Sequence, residues 1–286
     1  MPSAMDYSNN TTPTWCLGCG DFSVLRSLQG AAARLDIAPH NLAVVSGIGC
    51  SGRISGYLNV YGFHSIHGRA LPVAQGIKLV NPELTVIAAG GDGDGFAIGT
   101  AHTIHAIRRN IDITYVVMNN QVYGLTKGHT SPLSTTGFIT KSTPHGSIES
   151  PIKPGILALS AGATFVAQGF SGYQEQLVHI LTKAILHKGF SFVNVFSPCV
   201  TFNKTNTYQW FREHLLNLDD IDNYDSHSLQ SAMNQYLATD GLFTGILYEN
   251  DDPDYYSKLP GERGSAVVHQ NLDISDQFNQ LMEDFY

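Results

Sequence analysis

Short apolar runs alternate along this sequence with longer stretches of helical periodicity, between about residues 21 and 196. The apolar runs, which we predict to be buried strands, cover 42–49, 84–90, 113–118, 164–168 and 192–196. The predicted helices cover 21–38 (with Asp21 as the cap), 69–80, 96–109, 154–161 and 173–188. Strands that alternate with helices form a parallel sheet through right-handed crossovers. We therefore predict an α/β fold, a parallel sheet with helices on both faces that binds its ligands at the carboxyl ends of the strands.

The remaining segments are less regular. The polar residues 1–15 predict an arm that is flexible or contacts a partner, and 119–151 form a long loop of the kind that usually serves a function. Past residue 199 the predicted elements are helices at 208–216 and 228–237, an edge strand at 242–248, a linker at 250–264 and an amphipathic tail at 274–286. The chain thus divides into an α/β domain, 1–200, and an extension, 201–286, which we expect to pack on that domain and on a partner subunit.

Composition argues against two classes of partner. Lys and Arg number 16 against 24 Asp and Glu, and the resulting net charge of −8 is unfavourable for a nucleic-acid surface. No apolar run approaches the roughly 20 residues that cross a membrane. The polar N-terminus lacks the apolar segment of a secretory signal, so we expect a cytoplasmic protein with reduced thiols.

Polar residues follow two consecutive predicted strands. The motif Gly91-Asp92-Gly93 comes directly after one strand and Asn119-Asn120 directly after the next, with 25 residues between Gly93 and Asn119. The carboxyl ends of neighbouring parallel strands meet at one edge of a sheet. Mg²⁺ binds hard oxygen ligands and takes only a few of them from protein. The sequence therefore predicts a magnesium site built from the Asp92 carboxylate, the Asn120 amide oxygen and a backbone carbonyl such as that of Val122.

Glycine is concentrated in the same half of the chain, with 19 of the 28 glycines in residues 1–150. Gly93 and Gly95 would let backbone N–H groups approach a diphosphate at the start of the next helix. Taken singly, the glycine-rich segment reads as a tight turn and the asparagine pair as a strand-end cap. Both at this spacing resemble the diphosphate-binding half of the thiamine diphosphate-binding fold, over about residues 40–200.

The chain has four cysteines, Cys16, Cys19, Cys50 and Cys199. The first two form a CxxC hairpin, the third follows the first predicted strand and the fourth follows the last, so all four can meet at the carboxyl edge of the sheet. Four thiolates make either a zinc site or a [4Fe–4S] cluster, and the other alternative is a redox-active CxxC pair with two inert thiols. Spacing alone leaves these alternatives open, because both the double CxxC of a zinc ribbon and the run of a bacterial ferredoxin are absent.

A thiamine diphosphate site beside four cysteines is typical of the 2-oxoacid:ferredoxin oxidoreductases. The sequence resembles the beta subunit of that family, most of all the 2-oxoglutarate type, over most of residues 14–130. The segments that carry the resemblance are 15–22 (WCLGCGDF), 47–54 (GIGCSGRI), 67–70 (HGRA), 90–94 (GGDGD), 119–120 (NN) and 123–128 (YGLTKG). One departure is Leu17, where relatives often have proline at a position that is not a ligand.

The resemblance implies that all four cysteines hold a [4Fe–4S] cluster. It also implies coenzyme A-dependent oxidative decarboxylation of 2-oxoglutarate, or the reverse carboxylation of succinyl-CoA, with electrons passing through the cluster to ferredoxin. Three alternatives remain: the same reaction on pyruvate or another 2-oxoacid, a thiamine-dependent decarboxylase or synthase subunit with structural zinc, and a non-catalytic metal-binding assembly protein. Because the pyrimidine-binding half of such a site lies on a separate domain, we expect an alpha subunit and an (αβ)₂ assembly.

Further site residues are predicted from their place beside these motifs. Arg53, three residues after Cys50, is expected to bind a substrate carboxylate, the alternative being a surface or cluster-tuning charge. His67, in a glycine-flanked turn, is expected to hydrogen-bond the diphosphate or the reacting oxygen, the alternative being a structural histidine. With His67, the residues predicted to contact thiamine diphosphate are Ile48, Gly49, Cys50, Ser51, Gly91, Asp92, Gly93, Asp94, Asn120, Val122, Tyr123, Gly124, Leu125 and Thr126.

Overall fold

The computed structural model describes residues 2–260, 266–271, 273, 275 and 278–283. Its strands are β1 (Leu42–Ser46), β2 (Tyr61–His64), β3 (Thr85–Gly91), β4 (Ile113–Asn119), β5 (Val122–Tyr123), β6 (His129–Thr130), β7 (Phe165–Phe170), β8 (Phe190–Phe196), β9 (Leu216–Asn217) and β10 (Phe243–Glu249). Its α-helices are α1 (Asp21–Arg34), α2 (Gly49–Gly52), α3 (Ala70–Val80), α4 (Asp92–Phe96), α5 (Thr100–Arg109), α6 (Pro154–Ser160), α7 (Gln174–Leu186), α8 (Tyr208–His214), α9 (Leu229–Ala238) and α10 (Phe278–Glu283).

The main sheet has eight strands in the described part of the chain, in the order β2-β1-β3-β4-β8-β7-β10-β9. Its neighbouring strands are parallel, apart from β10 against β7. The predicted parallel sheet is confirmed from β1 to β8. The strand predicted at 242–248 differs, because β10 runs antiparallel to β7 and the two-residue β9, rather than β10, forms the edge.

Helices cover both faces of the sheet, as predicted, because successive strand residues point to opposite sides. On one face α1 and α7 pack over a layer that includes Val44 and Val116. On the other face α3, α5, α6 and α9 pack over a layer that includes Val45 and Val117. The central strands β3, β4 and β8 are thereby buried from both sides, and their carboxyl ends lie together at one edge.

Two element boundaries differ from the predicted ones, and both lie next to glycines. The first strand ends at Ser46 rather than 49, because Gly49 adopts a φ of +82° and begins the short helix α2. The glycine-rich turn predicted after β3 is itself the helix α4, and residues 97–99 separate α4 from α5. The single helix predicted at 96–109 is therefore interrupted near its start.

Other differences come from short elements with weak sequence patterns. Strand β2 was not predicted, because it is only four residues long and all four are exposed. The long loop at 119–151 contains the hairpin β5–β6. The helix predicted at 208–216 ends at His214, because the chain then extends into β9.

The C-terminal predictions are covered only in part. The linker at 250–264 and the tail at 274–286 both include residues outside those described, and the described part of the tail contains α10. Strands β9 and β10, which come from the predicted extension, join the main sheet. Among the described residues, no helix combines the length and apolar character needed to cross a membrane.

Candidate functional site

The ends of β3 and β4 bring Asp92 and Asn120 together. These strands are parallel neighbours, with Gly91 paired to Met118, so the residues that follow them share one edge of the sheet. The backbone N–H of Asn120 donates a hydrogen bond to Asp92 Oδ1 at 3.3 Å. The juxtaposition predicted from the spacing of the two motifs is present in the structure.

The Asp92 carboxylate is buried, with 1% of the residue exposed. Its second oxygen accepts a hydrogen bond from the Ser131 hydroxyl. Burial raises the pKa of Asp92 to about 6, although the hydrogen bonds from Ser131 and Asn120 oppose the rise. A cation at this point would favour the ionised carboxylate, so the donor suits a hard divalent ion.

Asn120 is held from two directions. Its side-chain Oδ1 accepts a hydrogen bond from the Val122 N–H at 3.0 Å. Its backbone carbonyl accepts one from Asn203 Nδ2 at 3.1 Å, which ties the end of β4 to the segment after β8. The Asn120 amide, the Val122 backbone and the Asp92 carboxylate therefore lie in one hydrogen-bonded group.

A cavity of about 140 Å³ lies between these strand ends. All the residues predicted to contact the cofactor line it, apart from His67: Ile48, Gly49, Cys50, Ser51, Gly91, Asp92, Gly93, Asp94, Asn120, Val122, Tyr123, Gly124, Leu125 and Thr126. The lining combines glycine-rich backbone with two carboxylates and one amide. This chemistry fits a diphosphate bridged to protein by a metal ion.

The glycines of α4 have a packing role as well. A Cβ added to Gly93 would lie 2.2 Å from the Tyr123 ring, and one added to Gly95 would lie 2.2 Å from the Tyr115 hydroxyl. The Tyr123 hydroxyl also donates to the Gly93 carbonyl at 2.9 Å. Glycine at these positions is thus required for close packing, whatever the backbone binds.

Asp94 joins three segments around the cavity. It is 2% exposed, and its Oδ1 accepts hydrogen bonds from the N–H groups of Gly68, at 2.7 Å, and Ile48, at 3.3 Å. His67 Nδ1 lies 3.1 Å from the same oxygen. His67 therefore contacts Asp94, which lines the cavity, but does not line the cavity itself.

The four cysteines come from three segments that meet beside this cavity. The sulfurs of Cys50 and Cys199 lie 3.6 and 3.7 Å from the position that a Cβ on Gly124 would take, so both face the same point. Cys50 and Gly124 also line the 140 Å³ cavity. Burial, with the nearby Asp21, Cys199 and Cys16, raises the pKa of Cys50 to about 11. Burial likewise raises the pKa of Cys19. A raised pKa disfavours the thiolate, so a positively charged metal centre would be needed to stabilise thiolates here.

Hydrogen bonds fix the CxxC hairpin to the other cysteine segments. Trp15 Nε1 donates to the carbonyl of Cys50 at 2.7 Å, and the Gly20 N–H donates to the carbonyl of Pro198 at 3.4 Å. A Cβ on Gly20 would lie 2.5 Å from Ser197 Oγ, so only glycine allows this approach. The three cysteine segments are thus packed as one unit.

Comparisons with known proteins agree with this geometry. The C-terminal TPP-binding domain of thiamine pyrophosphate enzymes matches residues 47–195, and the C-terminal part of the pyruvate ferredoxin oxidoreductase beta subunit matches residues 199–263. The beta subunit of 2-oxoacid:ferredoxin oxidoreductase 2 from Aeropyrum pernix is 44% identical, over 95% of this chain and 93% of its own. The chain belongs to the beta subunits of the 2-oxoacid:ferredoxin oxidoreductases.

Two further relatives are of the 2-oxoglutarate type. The 2-oxoglutarate synthase subunit KorB from Archaeoglobus fulgidus is 47% identical, over 66% of this chain and 71% of its own. A solved structure of 2-oxoglutarate:ferredoxin oxidoreductase from Magnetococcus marinus, with 2-oxoglutarate, coenzyme A and succinyl-CoA bound, is similar with a TM-score of 0.89. It is 37% identical and covers 98% of this chain and 96% of its own. The sheet of this beta subunit is thus the TPP-binding fold that its sequence predicts.

The cysteines of this beta subunit are not arranged around one ion. Within the described ranges, no three histidine, cysteine or acidic side chains are placed to share a single metal ion. The relatives of the 2-oxoglutarate type support the oxidoreductase interpretation and not the structural-zinc alternative.

The two residues predicted to be catalytic contact the surroundings of the cavity rather than its lining. The Arg53 side chain is exposed, donates a hydrogen bond to Thr14 Oγ1 and contacts the Tyr57 hydroxyl. Its charge partly opposes the rise in the pKa of Cys50, so the guanidinium lies within electrostatic reach of that cysteine. Neither Arg53 nor His67 lines the cavity itself.

Sequence reasoning missed several supporting residues. Ser131, which directly follows the β5–β6 hairpin, donates a hydrogen bond to Asp92. Asn203, in the segment after β8, donates one to the backbone carbonyl of Asn120. The buried Asp21 accepts a hydrogen bond from Ser197 at 2.6 Å beside the cysteines, and burial raises its pKa to about 6. No motif marks Ser131 or Asn203. Asp21 was predicted only as the cap of the first helix, whereas Gly20 is the N-cap and Asp21 is the first residue of α1. Its buried position could have been suspected, because it lies two residues after Cys19 in the segment that carries the resemblance.

Proposed function

We propose that this chain is the beta subunit of a 2-oxoglutarate:ferredoxin oxidoreductase. The reaction is coenzyme A-dependent oxidative decarboxylation of 2-oxoglutarate, or the reverse carboxylation of succinyl-CoA. The observation that carries the proposal is the contact between two sites. Cys50 lines the cavity of Asp92 and Asn120 and is also one of the four cysteines, and Gly124 lines the same cavity beside the sulfurs of Cys50 and Cys199. The preference for 2-oxoglutarate is supported by the name of the KorB relative and by the 2-oxoglutarate and succinyl-CoA bound to the Magnetococcus enzyme.

In this proposal the 140 Å³ cavity holds the diphosphate of thiamine diphosphate. Asp92, the Asn120 amide and the Val122 carbonyl are the protein ligands of its Mg²⁺. When bound, thiamine diphosphate supplies the electron sink for decarboxylation. The protein contributes a buried carboxylate that Ser131 orients, and a glycine-lined wall that lets backbone N–H groups approach the diphosphate.

Cys16, Cys19, Cys50 and Cys199 are proposed as the ligands of a [4Fe–4S] cluster. Support comes from the donor set, since four thiols come from three packed segments, and a metal centre would offset the raised pKa values of Cys19 and Cys50. Such a cluster accepts electrons one at a time and would pass them to ferredoxin. Reduced thiols of this kind fit a cytoplasmic location.

A second subunit is proposed to complete the site. The described part of the chain forms one large sheet with one Asp–Asn pair at its edge. The pyrimidine-binding half would then come from an alpha subunit, in an (αβ)₂ assembly. The extension 201–286 is proposed to contact that subunit as well as the main domain.

Arg53 and His67 are proposed to act from the margin of the cavity. Arg53 is exposed and close to Cys50, which suits a guanidinium that grips the distal carboxylate of a dicarboxylate substrate. His67, hydrogen-bonded to Asp94, would position that carboxylate and the adjoining backbone next to the diphosphate.

The test is to co-express this chain with its alpha subunit and to measure activity, iron, sulfide and bound thiamine diphosphate. We expect 2-oxoglutarate- and coenzyme A-dependent reduction of ferredoxin, with four irons per beta chain and a visible absorption that dithionite bleaches. Colourless protein with stoichiometric zinc would contradict the proposal. So would full activity of this chain alone, or a preference for pyruvate.

A further inference from the structure

The Arg53 side chain is held by its neighbours, although it is exposed. Arg53 begins a short 3₁₀ helix, Arg53–Gly56, directly after α2, and Tyr57 follows that helix. Arg53 Nη1 donates a hydrogen bond to Thr14 Oγ1, and a hydrogen bond from Arg53 also reaches the Tyr57 hydroxyl. The guanidinium is therefore held by one residue of the N-terminal segment and by one residue of its own segment.

The Tyr57 hydroxyl is a fixed point of this contact. Only 7% of Tyr57 is exposed, and its ring packs edge-on against Trp15, with the ring centroids 4.8 Å apart. Trp15 in turn donates a hydrogen bond from Nε1 to the carbonyl of Cys50 at 2.7 Å. Because Tyr57 and Trp15 are both buried, the hydroxyl keeps a set position relative to the Cys50 segment.

Thr14 joins the same group from the N-terminal segment. Its backbone N–H donates to the Tyr57 hydroxyl at 3.1 Å, and its Oγ1 lies 3.1 Å from that oxygen. The preceding part of the segment is also anchored, because the Asn59 N–H donates to the carbonyl of the buried Tyr7 at 2.9 Å. Thr14 therefore lies between two fixed residues, Tyr7 and Trp15.

The charge of Arg53 remains available to a ligand. In the part of the chain that the structure describes, no ion pair includes Arg53. A guanidinium has several N–H groups in a planar fork, so hydrogen bonds to two neutral hydroxyls leave others free for a carboxylate. The two hydroxyls thus restrict where the fork points without neutralising it. An arginine that is already ordered loses less rotamer freedom when it binds a carboxylate.

We propose that Tyr57 and Thr14 are positioning residues, which hold the Arg53 guanidinium in the orientation that binds the distal carboxylate of 2-oxoglutarate. The inference rests on the proposed function, in which Arg53 contacts that carboxylate. In this role the two hydroxyls act through Arg53 and not by contact with the substrate. Selectivity for a dicarboxylate over a 2-oxoacid with one carboxylate, such as pyruvate, then depends on two neutral hydroxyl groups as well as on the arginine itself.

The experiment uses the αβ complex and measures kcat and KM for 2-oxoglutarate and for pyruvate. Tyr57→Phe should raise the KM for 2-oxoglutarate by about threefold to tenfold, which corresponds to about 0.7–1.4 kcal/mol, because the substrate must then order the arginine. The kcat, the KM for pyruvate, the iron content and the visible absorption should remain as in the wild type. In an Arg53→Ile background, Tyr57→Phe should change the KM no further.

Further variants separate positioning from a general loosening of the structure. Thr14→Val should raise the KM for 2-oxoglutarate in the same way, whereas Thr14→Ser, which keeps the hydroxyl, should remain near the wild type. Tyr7→Phe is the matched control, because it removes another tyrosine hydroxyl from the same segment, one that donates to the Ile37 carbonyl. It should lower the melting temperature but leave both KM values within about twofold of the wild type.

The outcomes distinguish this proposal from the substrate contact on which it rests. If Arg53→Ile leaves the KM for 2-oxoglutarate unchanged, the contact itself fails, and the positioning role fails with it. If Arg53→Ile raises that KM but Tyr57→Phe and Thr14→Val do not, only the positioning role is wrong. It is also overturned if Tyr57→Phe raises the KM equally in the Arg53→Ile background, or if Tyr7→Phe has the same effect. Should Tyr57→Phe fail to fold, the comparison of Thr14→Val with Thr14→Ser still decides.

Discussion

The contact between Gly93 and Tyr123 offers a quantitative test of the cavity. In Gly93→Ala the new Cβ would lie 2.2 Å from the Tyr123 ring, whereas ordinary contact begins at 3.4 Å. The ring must therefore move by about 1.2 Å, or α4 must shift by a similar amount. Overpacking of this kind costs about 1–3 kcal/mol. Because Tyr123 lines the cavity, the affinity for thiamine diphosphate should fall together with the stability.

The assay is the melting temperature of the αβ complex, with and without thiamine diphosphate and Mg²⁺, together with the Kd of the cofactor. Gly76→Ala is the matched control, because a Cβ on this helical glycine of α3 has no atom within 4 Å. That substitution should stabilise by up to about 1 kcal/mol, since alanine is the better helix residue. The two Gly→Ala changes should therefore act in opposite directions.

A double-mutant cycle isolates the clash. In a Tyr123→Ala background the ring is gone, so adding Gly93→Ala should cost less than about 0.5 kcal/mol, the limit for independent sites. If Gly93→Ala is equally harmful with and without the Tyr123 ring, the packing explanation is wrong. If it lowers stability but leaves the Kd of thiamine diphosphate unchanged, the ring does not border the cofactor.

Further predictions concern the support of the metal, the cluster, the substrate and the core. Ser131→Ala should weaken Mg²⁺-dependent binding of thiamine diphosphate by about 10- to 100-fold, as loss of a second partner of a metal ligand does; binding within twofold of wild type would contradict its role beside Asp92. Cys50→Ser should abolish the visible absorption and most of the iron, and wild-type iron content would exclude this ligand. Arg53→Ile should raise the KM for 2-oxoglutarate by about tenfold or more but leave that for pyruvate nearly unchanged; equal effects would refute the carboxylate contact. Lys78→Met removes the nearer partner of Asp112, at 3.0 Å, but leaves Lys188 at 3.6 Å, so it should cost about 1–3 kcal/mol in urea unfolding. If it is neutral, the pair adds no stability.

The sequence predicted the frame of the site because periodicity and strand ends are local features. The strands that carry Asp92 and Asn120 are apolar runs buried on both faces, and such runs are visible without any knowledge of the partner strands. Because Asp92 and Asn120 follow neighbouring parallel strands, their side chains could be predicted to lie at the same edge of the sheet. The CxxC hairpin was found from its own spacing, and Cys50 and Cys199 from their positions after the first and last predicted strands.

The supporting contacts could not be predicted because they depend on long-range folding. Ser131 reaches Asp92 only because the β5–β6 hairpin folds back over the sheet edge, and β5 and β6 are each two residues long. Strand β2 escaped notice because it has only four residues, all exposed, so its pairing with β1 leaves no apolar run in the sequence. Asn119 was recognised as part of a motif, but only the geometry shows that it does not line the cavity that Asn120 lines.

A crystal structure of the αβ complex with thiamine diphosphate and Mg²⁺, measured at the iron absorption edge, tests the proposed cluster and magnesium sites most directly. We expect one iron peak per beta chain, surrounded by the sulfurs of all four cysteines. We also expect a magnesium ion about 2.0–2.1 Å from oxygens of Asp92 and Asn120. Iron absent from the cysteines, or a magnesium ion with no contact to Asp92 and Asn120, would contradict both assignments.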